Sequence, residues 1–70
     1  MEVKWVEGYE IRVTIDNGAA VIKANREGLL SLAIQLVMMA TEAPGTHIHY
    51  DGHNSLEEGS AEMIIEKSGS

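Results

Sequence analysis

An α+β domain is the fold this sequence predicts: one helix packed on one face of a four-stranded, mainly antiparallel sheet, in the order β-β-α-β-β. Three observations predict it. Asp16-Asn17-Gly18 separates two alternating runs, one helix-period stretch is closed by Pro44-Gly45, and two short β-rich runs follow. One helix over one sheet is the simplest way for such elements to bury their apolar sides. Seventy residues suffice for a single small domain, expected to span 1–67, with Ser68-Gly69-Ser70 as a flexible tail.

The first hairpin follows from its turn. Asn-Gly supplies the two positive-φ positions of a type I′ turn, whose twist suits paired strands. A two-residue loop sets Ile15 opposite Ala20, Val13 opposite Ile22 and Ile11 opposite Ala24, all on one face, which is therefore the expected core side. Val3 to Val6 is a candidate extension, broken at Glu7-Gly8. Asn25 then caps a helix expected from Arg26 to about Glu42, with Leu29, Leu32, Ala33, Leu36, Val37 and Ala40 as its inward stripe. Leu30, Ile34, Met38 and Met39 widen that stripe beyond what one sheet covers. The excess reads either as a deeply seated helix or as a contact surface, including a homodimer through Ile34 and Met38.

Thr46 to Asp51 and Glu62 to Lys67 are the last two expected strands. Between them lies a polar, glycine-punctuated loop from Gly52 to Ser60, longer than most hairpin connections and of the kind that carries binding sites. Within it, Ser55 and Glu58 have capping-box spacing for a single helical turn, and Leu56 is the expected anchor to the core.

Composition narrows the function. Eleven acids against five bases give a net charge of −6. That balance argues against nucleic acid and membrane partners, which require a positive face, and favours a basic protein partner. With no cysteine there is neither a disulfide framework nor a thiolate zinc site. Met1 to Gly8 has no signal-peptide layout, so a cytoplasmic location is expected.

The most chemical stretch is His47-Ile48-His49-Tyr50-Asp51. Strand alternation puts His47, His49 and Asp51 on one face and Ile48 and Tyr50 on the other. With Ile48 and Tyr50 beneath the helix, the imidazoles stand in solvent, near His53. A partner-binding surface of His47, His49, Asp51, His53, Asn54, Glu57 and Glu58 is the leading reading, rimmed by further acid at Glu62. A zinc module on His47, His49 and Asp51 is the alternative, although no fourth ligand stands out. Enzymatic activity and a bound cofactor are not expected: the adjacent glutamates diverge, and no Ser-His-acid order or phosphate-binding glycine loop is present. Trp5 and Tyr9 are secondary contact candidates.

Asn25 to Leu29 opening a leucine-rich helix, then Pro44 to Asp51, then Asn54 to Ser60 before Glu62 to Lys67, resembles a small family of bacterial immunity proteins, immunity protein thirty-two of polymorphic toxin systems. The resemblance covers about Glu10 to Lys67, and His-x-His-x-Asp followed by Leu-Glu-Glu-Gly-Ser is its distinctive part. It implies a non-enzymatic α+β domain that binds and blocks a cognate toxin in the cell that makes it. The N-terminal stretch with Trp5 and the apolar helix face at Met38 and Met39 depart from that pattern. No toxin-contacting residue carries over from the resemblance.

Overall fold

The structure, a computed structural model, describes residues 1–69. Its elements are β1 (Ile11–Asp16), β2 (Ala19–Ala24), α1 (Arg26–Ala40), β3 (His47–Tyr50) and β4 (Met63–Glu66), in the predicted α+β order. Ser70, the last residue of the expected tail, lies outside the described residues.

β1 and β2 pair in the register the turn dictates, with Ile15 opposite Ala20, Val13 opposite Ile22 and Ile11 opposite Ala24. Asn17 (φ 51°) and Gly18 (φ 81°) occupy the left-handed region that a type I′ turn requires. Only the base of this hairpin joins the core, however. Ile11 and Val13 are buried, whereas Ile15, Ala20 and Ile22 are exposed, because the tip projects past the elements that cover the base.

The single four-stranded sheet is not formed as such: the described residues hold two two-stranded antiparallel sheets, β1-β2 and β3-β4. The break has a local cause. The Glu57 amide donates to the Ile11 carbonyl and the Ala61 amide to the Val13 carbonyl, both at 2.8 Å, so the chain before β4 does run along β1. Between those bonds it turns through Gly59 (φ 88°), and the Val13 amide bonds the Ser60 hydroxyl rather than a backbone carbonyl. Four residues advance on one chain while two advance on the other, and a regular ladder cannot continue through such a mismatch.

Asn25 caps α1 as its type predicts, accepting from the Gly28 amide at 2.8 Å. The same Oδ1 accepts from the Glu10 amide, and Nδ2 donates to the Gly8 carbonyl, tying the helix start to the strand before it. The inward face differs from expectation. Gly28, Ser31, Leu32, Gln35 and Met39 are buried, while Leu29, Ala33, Leu36, Val37 and Ala40 face out. Met39, expected on the outer side, is core. Gly28 sets this rotation: a Cβ there would stand 2.6 Å from the Glu10 carbonyl oxygen and 2.9 Å from Ile11 Cγ1, so only glycine lets the helix approach β1 this closely.

The two polar residues on the inward face hold the N-terminal segment. Val3 to Val6 forms no strand; instead the Val6 amide donates to Ser31 Oγ at 2.8 Å, and Gln35 Nε2 donates to the Lys4 carbonyl at 2.8 Å. Gln35 Oε1 accepts from the Tyr50 hydroxyl at 2.5 Å. Trp5 stacks on Tyr9 at a centroid separation of 4.3 Å and meets Tyr50 edge-on at 6.1 Å. Around this spine lie Ile11, Val13, Leu32, Met39, Ile48 and Leu56.

Two outcomes are expected. Gly28→Ala should lower the melting temperature: alanine's helix-propensity advantage of about 1 kcal/mol is outweighed by overpacking of about 1–3 kcal/mol, since a backbone oxygen cannot swing away. Burial also raises the Tyr50 pKa above its ordinary 10.0. The folded state thus holds this proton more tightly than the unfolded chain. The resulting stability is fully present below pH 10.0 and lost as pH rises through the higher folded value. Denaturant titration should show an alkaline decline that Tyr50→Phe diminishes.

Candidate functional site

β3 is built as the alternation predicts. Ile48 and Tyr50 are buried and His47 and His49 exposed, so both imidazoles stand outward. Pairing with β4 places His47 opposite Glu66 and His49 opposite Ile64. The two rings meet edge to face at 4.9 Å. His47 Nδ1 lies 3.0 Å from the Gly45 carbonyl oxygen, which can only accept, so Nδ1 carries the proton.

After β3 the chain folds into a tight turn organised by Asp51. Its Oδ1 accepts from the His53 amide at 2.8 Å and the Asn54 amide at 3.1 Å, and its carbonyl accepts from the Ser55 and Leu56 amides. The capping residue of this loop is therefore Asp51 rather than Ser55, and the turn lies before Leu56 rather than over 55–58. An aspartate caps better here because it can accept from both free amides at once. Leu56 is buried, as the anchor role requires.

This turn separates two depressions. One is lined by Val3, Trp5, Ile48, His49, Asn54 and Ser55. The other holds Asp51, His53, Glu58 and Glu62 around Gly59 and Ser60. Glu57 lines neither of these; it borders a third depression with Glu10, Arg12, Lys23 and Asn25 at the hairpin base. Five of the seven expected contact residues, His49, Asp51, His53, Asn54 and Glu58, thus border the first two depressions; His47 stands beside His49, and Glu57 borders the third. Neither ion pair among the described residues, Lys4–Glu2 or Arg26–Glu27, neutralises the acidic rim.

Asp51 does not join the two imidazoles as a third ligand. Among the described residues no three His, Cys, Asp or Glu side chains are gathered closely enough to hold a metal ion, so the zinc alternative on His47, His49 and Asp51 lacks its site. Asp51 Oδ1 accepts from the His53 and Asn54 amides, which holds the carboxylate on the turn after β3.

Two contributors were not legible beforehand. Arg12 Nη1 donates to the Glu58 carbonyl at 2.9 Å, holding the acidic loop against β1. Ser60 joins the same loop to Val13. Each acts across more than forty residues of sequence, and no local pattern announces such a partner. No helix among the described residues is long and apolar enough to cross a membrane.

In comparisons with known proteins, the family described as immunity protein 32 matches residues 20–68, which include β3, the Asp51 turn, the acidic loop and β4. No curated protein and no solved structure matches the chain.

Proposed function

The chain belongs to the immunity protein 32 family, and on that premise we propose that it neutralises a cognate bacterial toxin by occupying it. The contact surface is the end of the molecule bearing His47, His49, Asp51, His53, Asn54 and Glu58. The observation that supports this reading is that outward His49 of β3, with His47 beside it, the Asp51 turn with His53 and Asn54, and the acidic side chains of Glu58 and Glu62 border two neighbouring depressions. The protein acts in the cytoplasm of the producing cell, by binding and without turnover.

Each part of the surface has a physical task. The Asp51, Glu58 and Glu62 carboxylates attract a basic cleft, raising the association rate and rejecting acidic surfaces. The half-buried Trp5 beside His49 and Asn54 offers an apolar seat with hydrogen-bonding walls for one projecting side chain. The turn is already tied by four backbone bonds to Asp51, so little ordering entropy opposes binding.

The test is a pair of charge reversals, read by binding to the toxin domain encoded in the neighbouring reading frame and by protection of cells expressing it. Glu58→Lys should weaken binding on the order of tenfold or more, chiefly through slower association. Glu57→Lys should weaken binding less, because Glu57 borders the depression at the hairpin base rather than the one bearing Asp51, Glu58 and Glu62. Unchanged binding and full protection by Glu58→Lys, with circular dichroism intact, would contradict the assigned surface.

A further inference from the structure

The outward face of α1 is independent of that site. From Gly28 to Thr41 the sequence contains no charged residue, yet Leu29, Leu30, Ile34, Leu36 and Val37 are all substantially exposed, Val37 by 70%. Helical spacing orders them into rows. Leu29 and Leu36 form one ridge, Leu30 and Val37 another, and exposed Ala33 and Ala40 form the groove between them.

We infer that this face pairs with a second copy of itself, the two helices running antiparallel about a two-fold axis that crosses the outward face between Ala33 and Leu36. Three features favour a second copy. The first is shape. An antiparallel two-fold sets Leu29 of each copy over the partner's Ala40 and Leu36 over the partner's Ala33, so the Leu29–Leu36 ridge enters the opposing alanine groove while the Leu30–Val37 ridge flanks it. A parallel two-fold would put leucine on leucine and alanine on alanine.

The second feature is charge. At a net charge of −6, two copies approaching through the acidic rim repel one another, whereas the helix face brings no carboxylate to the contact. A basic toxin, drawn to the rim, finds no charge here to meet. The third is area. The exposed aliphatic rows amount to on the order of 500 Å² per copy, about a tenth of the 4731 Å² surface and near the lower bound for a specific interface. An interface of that size produces a dimer that dissociates on dilution.

Sedimentation velocity of the full chain over a concentration series tests this. Wild type should move from monomer mass to twice that mass as concentration rises. Leu36→Glu should stay monomeric throughout, with far-ultraviolet circular dichroism and Trp5 fluorescence unchanged, since Leu36 is half exposed and is not one of the residues packed in or against the core. Cysteine cross-linking tests the register in a chain that has no other cysteine. Ala33→Cys, close to the axis, should cross-link within the dimer, and Leu29→Cys, roughly 16 Å from its counterpart along the axis, should not. A wild type that remains monomeric at every concentration overturns the inference. So does a Leu36→Glu variant that still dimerises, or cross-linking of Leu29→Cys as efficient as that of Ala33→Cys. Loss of toxin retention by Leu36→Glu beside a monomeric wild type would assign the face to the toxin instead, leaving the rim reading to stand on Glu58.

Discussion

Gln35 is the residue on which the arrangement of this molecule depends. Its side chain is almost fully buried, with one end donating to the Lys4 carbonyl and the other accepting from the Tyr50 hydroxyl. A buried amide costs about 1–3 kcal/mol for each group left unpaired, and here no buried side-chain polar atom among the described residues lacks a partner. Ser31, one turn earlier, binds the Val6 amide in the same way. Together they substitute helix side chains for the strand partner that the N-terminal segment never finds. The polar face of α1 is consequently the inner one, and the leucine-rich face is left to the outside.

That rotation follows physically from a degenerate hydrophobic pattern. Apolar residues surround most of α1, so periodicity alone discriminates weakly between faces. What decides is a steric fact and two polar ones. Gly28 permits contact with the Glu10 carbonyl, and Ser31 and Gln35 have partners waiting on distant parts of the chain. Of the stripe expected as core, only Leu32 is buried, while Leu29, Ala33, Leu36, Val37 and Ala40 are surface and the polar Ser31 and Gln35 are interior. The β1-β2 register was fully legible, because a two-residue turn leaves no freedom of alignment. So was the orientation of β3, where period-two alternation places Tyr50 inward and the imidazoles outward. The break between the two sheets was not legible, since it depends on a turn through Gly59 and on the Val13 amide donating to the Ser60 hydroxyl, a partner distant in sequence.

The site inherits its order from the same spine. Tyr50 is the last residue of β3, and Asp51, immediately after it, organises the turn that carries His53 and Asn54. Fixing the Tyr50 hydroxyl on Gln35 fixes the start of that turn, while Arg12 and Leu56 hold its far side. Trp5, placed edge-on against Tyr50 by the segment that Gln35 retains, forms the wall shared with His49. Core and candidate surface are thus two sides of one hydrogen-bonded connection, which explains how so small a domain presents a preformed loop.

A double-mutant cycle on Gln35→Leu and Tyr50→Phe, read by denaturant unfolding, tests this connection most directly. Tyr50→Phe strands Gln35 Oε1, and Gln35→Leu strands the Tyr50 hydroxyl and also releases the Lys4 carbonyl, so each should destabilise the fold. The double change removes both ends of the Tyr50–Gln35 bond, leaves only the Lys4 carbonyl without its partner, and should cost clearly less than the two singles combined. Strictly additive losses would mean that the two side chains do not act on one another, and that something other than Gln35 holds the helix, the N-terminal segment and β3 in their places.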